Sequence, residues 1–120
     1  MHEHGITKNI VIMIVKECEK NNIKKLKKVV LELGKLTTYK KESILQYFDV
    51  LKNDFPVLED TNLEINVVPG KIKCNKCKKE SIVKDIYLIC CGYCNDHDVK
   101  IIEGKEVIVT EPKATRFFWN

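Results

Sequence analysis

A chain of 120 residues, 44% of them hydrophobic, can close one modest core but not a string of domains. No stretch approaches the ~20 apolar residues of a membrane span, and none near the start has the form of a secretory signal, so the expectation is a cytoplasmic protein without a membrane partner. Lys and Arg number 21 against 17 Asp and Glu, yet Arg116 is the sole arginine, so the planar fork suited to phosphates and base edges is nearly missing and nucleic acid is not the expected partner.

The chain opens Met1-His2-Glu3-His4. A bulky second residue retains the initiator methionine, so the free α-amine, the His2 backbone nitrogen and the His2 ring nitrogen can take one ion in a single plane. Such a nitrogen-rich tetragonal set favours Ni(II) or Cu(II), and Glu3 or His4 can complete it. The bland alternative is that His2 is a solvated terminal side chain. From Thr7 to Lys20, Ile10, Val11, Ile14, Val15 and Cys18 recur at helical spacing, and Asn21-Asn22 offers a stop. The run from Ile10 to Val15 is apolar nearly all round, which predicts burial on more than one side, by a sheet or by a second copy in a homodimer. Cys18 reads as a small buried hydrophobe.

Residues 23–33 read as a strand, lysine-rich at its start and ending at Gly34; the lysines fit a solvated face. Thr37 or Thr38 can cap a second helix running to about Asn53, with Ile44, Phe48, Leu51 and Phe55 on one face and Pro56 closing the region. Leu63, Ile65 and Val67 alternate with Glu64 and Asn66 in another strand, which Pro69-Gly70 breaks.

Cys74-Asn-Lys-Cys77 and Cys91-Gly-Tyr-Cys94 follow, with thirteen residues between the pairs. Two residues between thiolates let the backbone turn under a metal, and the longer gap supplies a hairpin that returns the second pair opposite the first, so a tetrahedral Zn2+ is the expected occupant over two disulfides or a single iron. Reducing cytosol favours the same reading. Cys90 is an alternative ligand to Cys91, but Gly92 suits the tight turn of the Cys91 knuckle. His97 faces either metal or neither.

Val99 to Ile102 makes a short strand, Glu103-Gly104-Lys105 a turn, and Val107 to Val109 a last strand able to rejoin the first sheet; Phe117, Phe118 and Trp119 in the tail read as local packing or a contact surface. The expected fold is α/β: two helices packed on a small mixed sheet, with a projecting zinc-ribbon lobe. Residues 1–70 with a C-terminal strand and tail at 106–120 make an α/β domain, and residues 71–105 a zinc ribbon.

Met1-His2-Glu3, the Leu33-Gly34-Lys35-Leu36 strand end before the second helix, Leu63 to Val67, the two knuckles and the closing Glu103-Gly104-Lys105-Glu106-Val107 together resemble the HypA/HybF family of hydrogenase nickel-maturation proteins over nearly the whole chain. The resemblance implies a nickel metallochaperone. It implies Ni2+ as transferred cargo at Met1, His2 and Glu3, structural Zn2+ at Cys74, Cys77, Cys91 and Cys94, and delivery to the large subunit of a [NiFe] hydrogenase. It also implies a nickel-handling GTPase of the same maturation pathway as partner, and urease maturation proteins in some bacteria.

No Ser/His/Asp set and no phosphate-cradling glycine loop stands in the chain, and the paired cysteines are committed to metal, so an enzyme is not expected. The alternative from another class is a zinc-ribbon nucleic-acid-binding or protein-docking module, prompted by Lys73, Lys76, Lys78, Lys79 and Lys84 around the knuckles.

Overall fold

The computed structural model describes the backbone of residues 2–112 and 115–118 and the side chains of residues 3–112. In chain order the elements are helix α1 (His2–Lys20), strand β1 (Lys28–Gly34), helix α2 (Lys41–Leu51), and strands β2 (Asn62–Val68), β3 (Lys71–Cys74), β4 (Glu80–Ile82), β5 (Val99–Glu103), β6 (Glu106–Glu111) and β7 (Thr115–Phe118). Four strands form a mixed sheet in the order β2-β1-β6-β7; the other three form a ribbon sheet in the order β4-β3-β5.

The alternation in β1 decides which side of the larger sheet is covered. Val29, Leu31 and Leu33 stand opposite Leu63, Ile65 and Val67 of the parallel β2, and Leu31 and Leu33 also stand opposite Val109 and Val107 of the antiparallel β6. Directly opposed residues share a face, and on this one all but the half-exposed Val67 pack with Ile10, Val11 and Ile14 of α1 and Ile44 and Phe48 of α2. Helix α2 lies in the crossover between the parallel pair, so the predicted architecture of two helices on a small mixed sheet is the observed one.

Several boundaries differ from the sequence reading, each for a physical reason. Helix α1 begins at His2 rather than Thr7, because the buried stripe starts earlier: Glu3 and Thr7 are both buried, and the Thr7 hydroxyl donates to the Glu3 carbonyl one turn back. The helix is not buried all round, since Ile12 remains 37% exposed. Strand β1 starts at Lys28, after a turn in which the Leu26 N–H donates to the Val57 carbonyl and the Leu26 carbonyl accepts from the Thr61 hydroxyl.

Neither threonine caps α2. The Thr37 hydroxyl donates to the Gly34 carbonyl at 2.7 Å, and Thr38 takes a left-handed φ of 62° with its hydroxyl on the Thr37 carbonyl. The N-cap is Lys40, whose N–H is accepted by the Glu3 carboxylate at 2.9 Å. That partner lies 37 residues back in the chain, beyond any local capping signal. The tail forms β7, which pairs antiparallel with β6 through Phe117 opposite Val107; the packing expected for Phe117, Phe118 and Trp119 lies outside the described residues.

Three glycines bring the two sheets together. A Cβ on Gly34 would lie 2.3 Å from the Gly104 carbonyl oxygen, and one on Gly104 only 2.6 Å from the Gly70 Cα. Gly104 also carries a φ of +91°, where a side chain is strained. Beside this crossing the Leu36 N–H donates to the Gly104 carbonyl at 2.8 Å, and the Leu36 side chain buries with Ile72 and Val83 in the small core of the ribbon. No helix among the described residues is long and apolar enough to cross a membrane.

Candidate metal centre

Strand β3 ends in Cys74, and the chain turns there through a knuckle that is repeated at Cys91. The Lys78 N–H donates to the Cys74 carbonyl at 3.1 Å, and the Asn95 N–H donates to the Cys91 carbonyl at 3.0 Å. The Cys74 N–H donates to the Lys79 carbonyl at 3.0 Å, and the Cys91 N–H to the Asp96 carbonyl at 2.9 Å. The residue after each pair is left-handed, with φ of 64° at Lys78 and 62° at Asn95. Gly92 is therefore not the residue that makes the tight turn. It sits close to β4 instead, its N–H on the Ser81 hydroxyl at 3.1 Å.

The two knuckles face each other with sulfurs inward, and the ligand atoms of Cys74, Cys77, Cys91 and Cys94 all lie within 4.8 Å of one another. Cys74 and Cys94 sulfurs are 3.6 Å apart, and those of Cys77 and Cys91 3.5 Å. A tetrahedron with Zn–S bonds of ~2.3 Å requires sulfurs ~3.8 Å apart, whereas a disulfide needs ~2.05 Å, so the donor set fits zinc and leaves the cysteines unbridged. Amide N–H groups aimed at the sulfurs complete the cage: Cys77 N–H to Cys74 at 3.4 Å, and Tyr93 and Cys94 N–H to Cys91 at 3.4 and 3.5 Å. The amides of Cys94 and Tyr93 draw the Cys91 thiol down to about 6, favouring the thiolate that binds metal. Asp96 holds the knuckles together by accepting from Lys76 at 2.9 Å, and Asn75 bonds Asp98 at 2.9 Å.

Cys90 lies outside this cluster, on the wall of a shallow groove with Leu88 and Asn95. His97 bonds the Ile89 carbonyl at 3.2 Å through Nδ1 and is likewise outside it. Of the lysines that prompted a nucleic-acid reading, Lys76 is paired with Asp96 and Lys79 sits over the Tyr93 ring at 4.9 Å.

Of the N-terminal set, Met1 and the His2 side chain lie outside the described residues, and the structure places the remaining two members. The Glu3 carboxylate, 9% exposed, accepts the Lys40 N–H. That hydrogen bond is the main reason its pKa falls to about 2. His4 stacks on Tyr47 with ring centroids 4.1 Å apart. The role of Glu3 as a cap across the fold escaped the sequence reading, and no local pattern announces it. The left-handed Asn95 did carry a signal, since asparagine tolerates that region.

A family model described as "Hydrogenase/urease nickel incorporation, metallochaperone, hypA" matches residues 1–114. The chain belongs to the HypA family. This family consists of metallochaperones rather than enzymes, and the match spans both the N-terminal triplet and the two knuckles. The hydrogenase maturation factor HypA of Trichodesmium erythraeum is 38% identical over 111 residues, 92% of this chain and 93% of its own length. That of Moorella thermoacetica is 34% identical over 109 residues, 91% of this chain and 95% of its own. The solution structure of the Ni metallochaperone HypA from Helicobacter pylori shares the fold, with a TM-score of 0.65 across 97% of this chain and 96% of that one at 18% identity. A second HypA solution structure gives 0.69 at 19% identity, covering 98% and 96%.

Proposed function

We propose that this chain is a cytoplasmic nickel metallochaperone. It binds Ni(II) at its N-terminus through the Met1 amine, His2 and Glu3, and helps insert it into the large subunit of [NiFe] hydrogenase, with urease maturation as a second destination. A nickel-handling GTPase of the maturation pathway and the hydrogenase large subunit are its partners. In this reading residues 1–70 and 106–120 form the nickel-binding domain and residues 71–105 the zinc domain. The carrying observation is the family match over residues 1–114, which includes the N-terminal triplet.

The two sites suit different tasks. Bound to Cys74, Cys77, Cys91 and Cys94, Zn2+ supplies a cross-link between the knuckles, and a cage of four thiolates leaves no open position for exchange. The N-terminus suits cargo instead. An α-helix offers no internal acceptor to the amides of its first turn, so a metal that claims the His2 amide breaks no ladder hydrogen bond of α1. Because the Glu3 carboxylate already holds Lys40, nickel that recruited it would release the cap of α2, giving delivery a built-in opposing force.

The test is metal stoichiometry and Ni(II) titration on untagged protein. One zinc retained through purification and one added equivalent of nickel are expected, the nickel lost on His2→Ala or when residues precede Met1, with zinc unchanged. Nickel uptake indifferent to both alterations, or none at micromolar concentration, overturns the assignment.

A further inference from the structure

The ribbon sheet has an open side that metal binding does not use. Strand β4 is an edge strand, paired only with β3. The Val83 N–H donates to the Gly70 carbonyl at 2.8 Å and the Cys74 N–H to the Lys79 carbonyl at 3.0 Å, so residues 79, 81 and 83 turn their backbone groups toward β3. In an antiparallel ladder these directions alternate, and Glu80 and Ile82 therefore present N–H and C=O outward. A groove of about 530 Å³ follows this edge. Its lining takes Glu80 and Ile82 from one face of β4 and Ser81 from the other, with Tyr93 and Lys84 as walls, so it runs along the strand rim rather than over a face. A second groove of about 220 Å³ continues from it past Ile82 and Lys84 to Leu88. Ile82, Leu88 and Tyr93 are 49%, 59% and 63% exposed, more apolar surface than so small a lobe needs to leave open.

Charge selects the occupant. Glu80 is answered by Lys71 at 3.2 Å; Asp85 accepts the Tyr87 N–H and keeps its charge, but the lysines outnumber it. Lys84 forms no ion pair among the described residues, and Lys73 and Lys79 stand exposed nearby. The rim thus offers backbone donors and acceptors, apolar purchase and spare positive charge. We propose that the free edge of β4 docks an extended segment of a partner protein, apolar and acidic in alternation, which adds a fourth strand to the ribbon sheet. Main-chain hydrogen bonds at Glu80 and Ile82 hold it, its apolar side chains meet Ile82 and Leu88, and its carboxylates, on the face of Ser81, meet Lys79 beside Tyr93 and Lys84 past the strand end. Nucleic acid is the poorer match: the ribbon has no arginine, and its outward backbone groups complement a peptide. His2 takes no part, so this surface stands or falls apart from nickel binding.

The test uses the full zinc-loaded chain and a fluorescein-labelled peptide of alternating valine and glutamate, with its valine–lysine counterpart as control. Anisotropy should show binding of the acidic peptide alone, and amide NMR shifts should centre on residues 79–84, 92 and 93. Ile82→Pro removes an outward N–H without touching the β3 ladder, a place where an edge strand tolerates proline. It should weaken binding at least about tenfold, as should Lys84→Glu, while Ile82→Val keeps it. Zinc content and far-ultraviolet circular dichroism report the fold of each variant, and Lys84→Glu, at an exposed site, remains decisive if the proline variant misfolds. Shifts scattered elsewhere, equal binding of the lysine peptide, or indifference to Lys84→Glu overturn the proposal. So does a single-stranded oligonucleotide that moves the same amides when the acidic peptide does not.

Discussion

Cys91 turns its sulfur into the cluster while Cys90, its neighbour in the chain, lines the groove outside. Cys90→Ser is therefore expected to keep one equivalent of zinc, and Cys91→Ser to lower zinc affinity by at least about a hundredfold, because removing even a partner of a ligand costs ~10–100-fold; competition with a chromophoric chelator measures both. Both cysteines stand as candidates in the sequence, and the spacing favours the one whose sulfur the structure brings into the cluster, but the turn is made by left-handed Asn95 and Lys78 rather than by Gly92. Glu3 shows the opposite limit. Its partner, the Lys40 amide, is distant in sequence and carries no residue-type signal, so the contact appears only once the helices are placed. Glu3→Ala should cost about 1–2 kcal/mol in urea denaturation at neutral pH. The sign follows from the lowered pKa: the stabilisation is complete above the ordinary value of 4.5 and fades as pH falls toward 2. Gly34→Ala should be worse, about 2–4 kcal/mol by the same measurement, since the new methyl meets backbone at Gly104 that cannot swing aside.

Elements were legible where the apolar repeat is long. Strand β1 and helix α2 each carry enough apolar repeats to fix their inner face, and Val29, Leu31, Ile44 and Phe48 are all buried as the periodicity required. Short elements were not. Strand β4 has three residues, too few for alternation to register, and its place follows from the ladder to Lys71, Ile72 and Lys73. The small ribbon core consists mainly of Leu36, Ile72 and Val83, so the lobe depends on its cross-link. Stripping the metal with a chelator should abolish amide hydrogen-exchange protection across β3, β4 and β5, while the protection of β1 and β2 persists. Loss of protection in both sheets together would show the larger sheet to depend on the metal as well.

The molecule measures 53 × 26 × 20 Å, and its radius of gyration of 16.8 Å exceeds the ~14 Å of a single round domain of this length. Two cores, joined through Leu36 and the glycine crossing, account for the elongation. Leu36→Ala removes a buried side chain that passes from the larger half into the ribbon core, and is expected to split thermal unfolding into two calorimetric transitions at a cost of about 2–4 kcal/mol to the ribbon. The contact of Gly70 with Gly104 has a kinetic corollary. The strands that feed the ribbon leave and return at one point, so once the thiolates have gathered their ion, the span of chain that must close before β6 can join β1 shortens by about half. Halving a loop saves ~0.6 kcal/mol of closure entropy, so refolding begun with zinc present should run about threefold faster than refolding begun in chelator. The cysteine clamp then acts as a chaperone to its own chain before the chain serves any other.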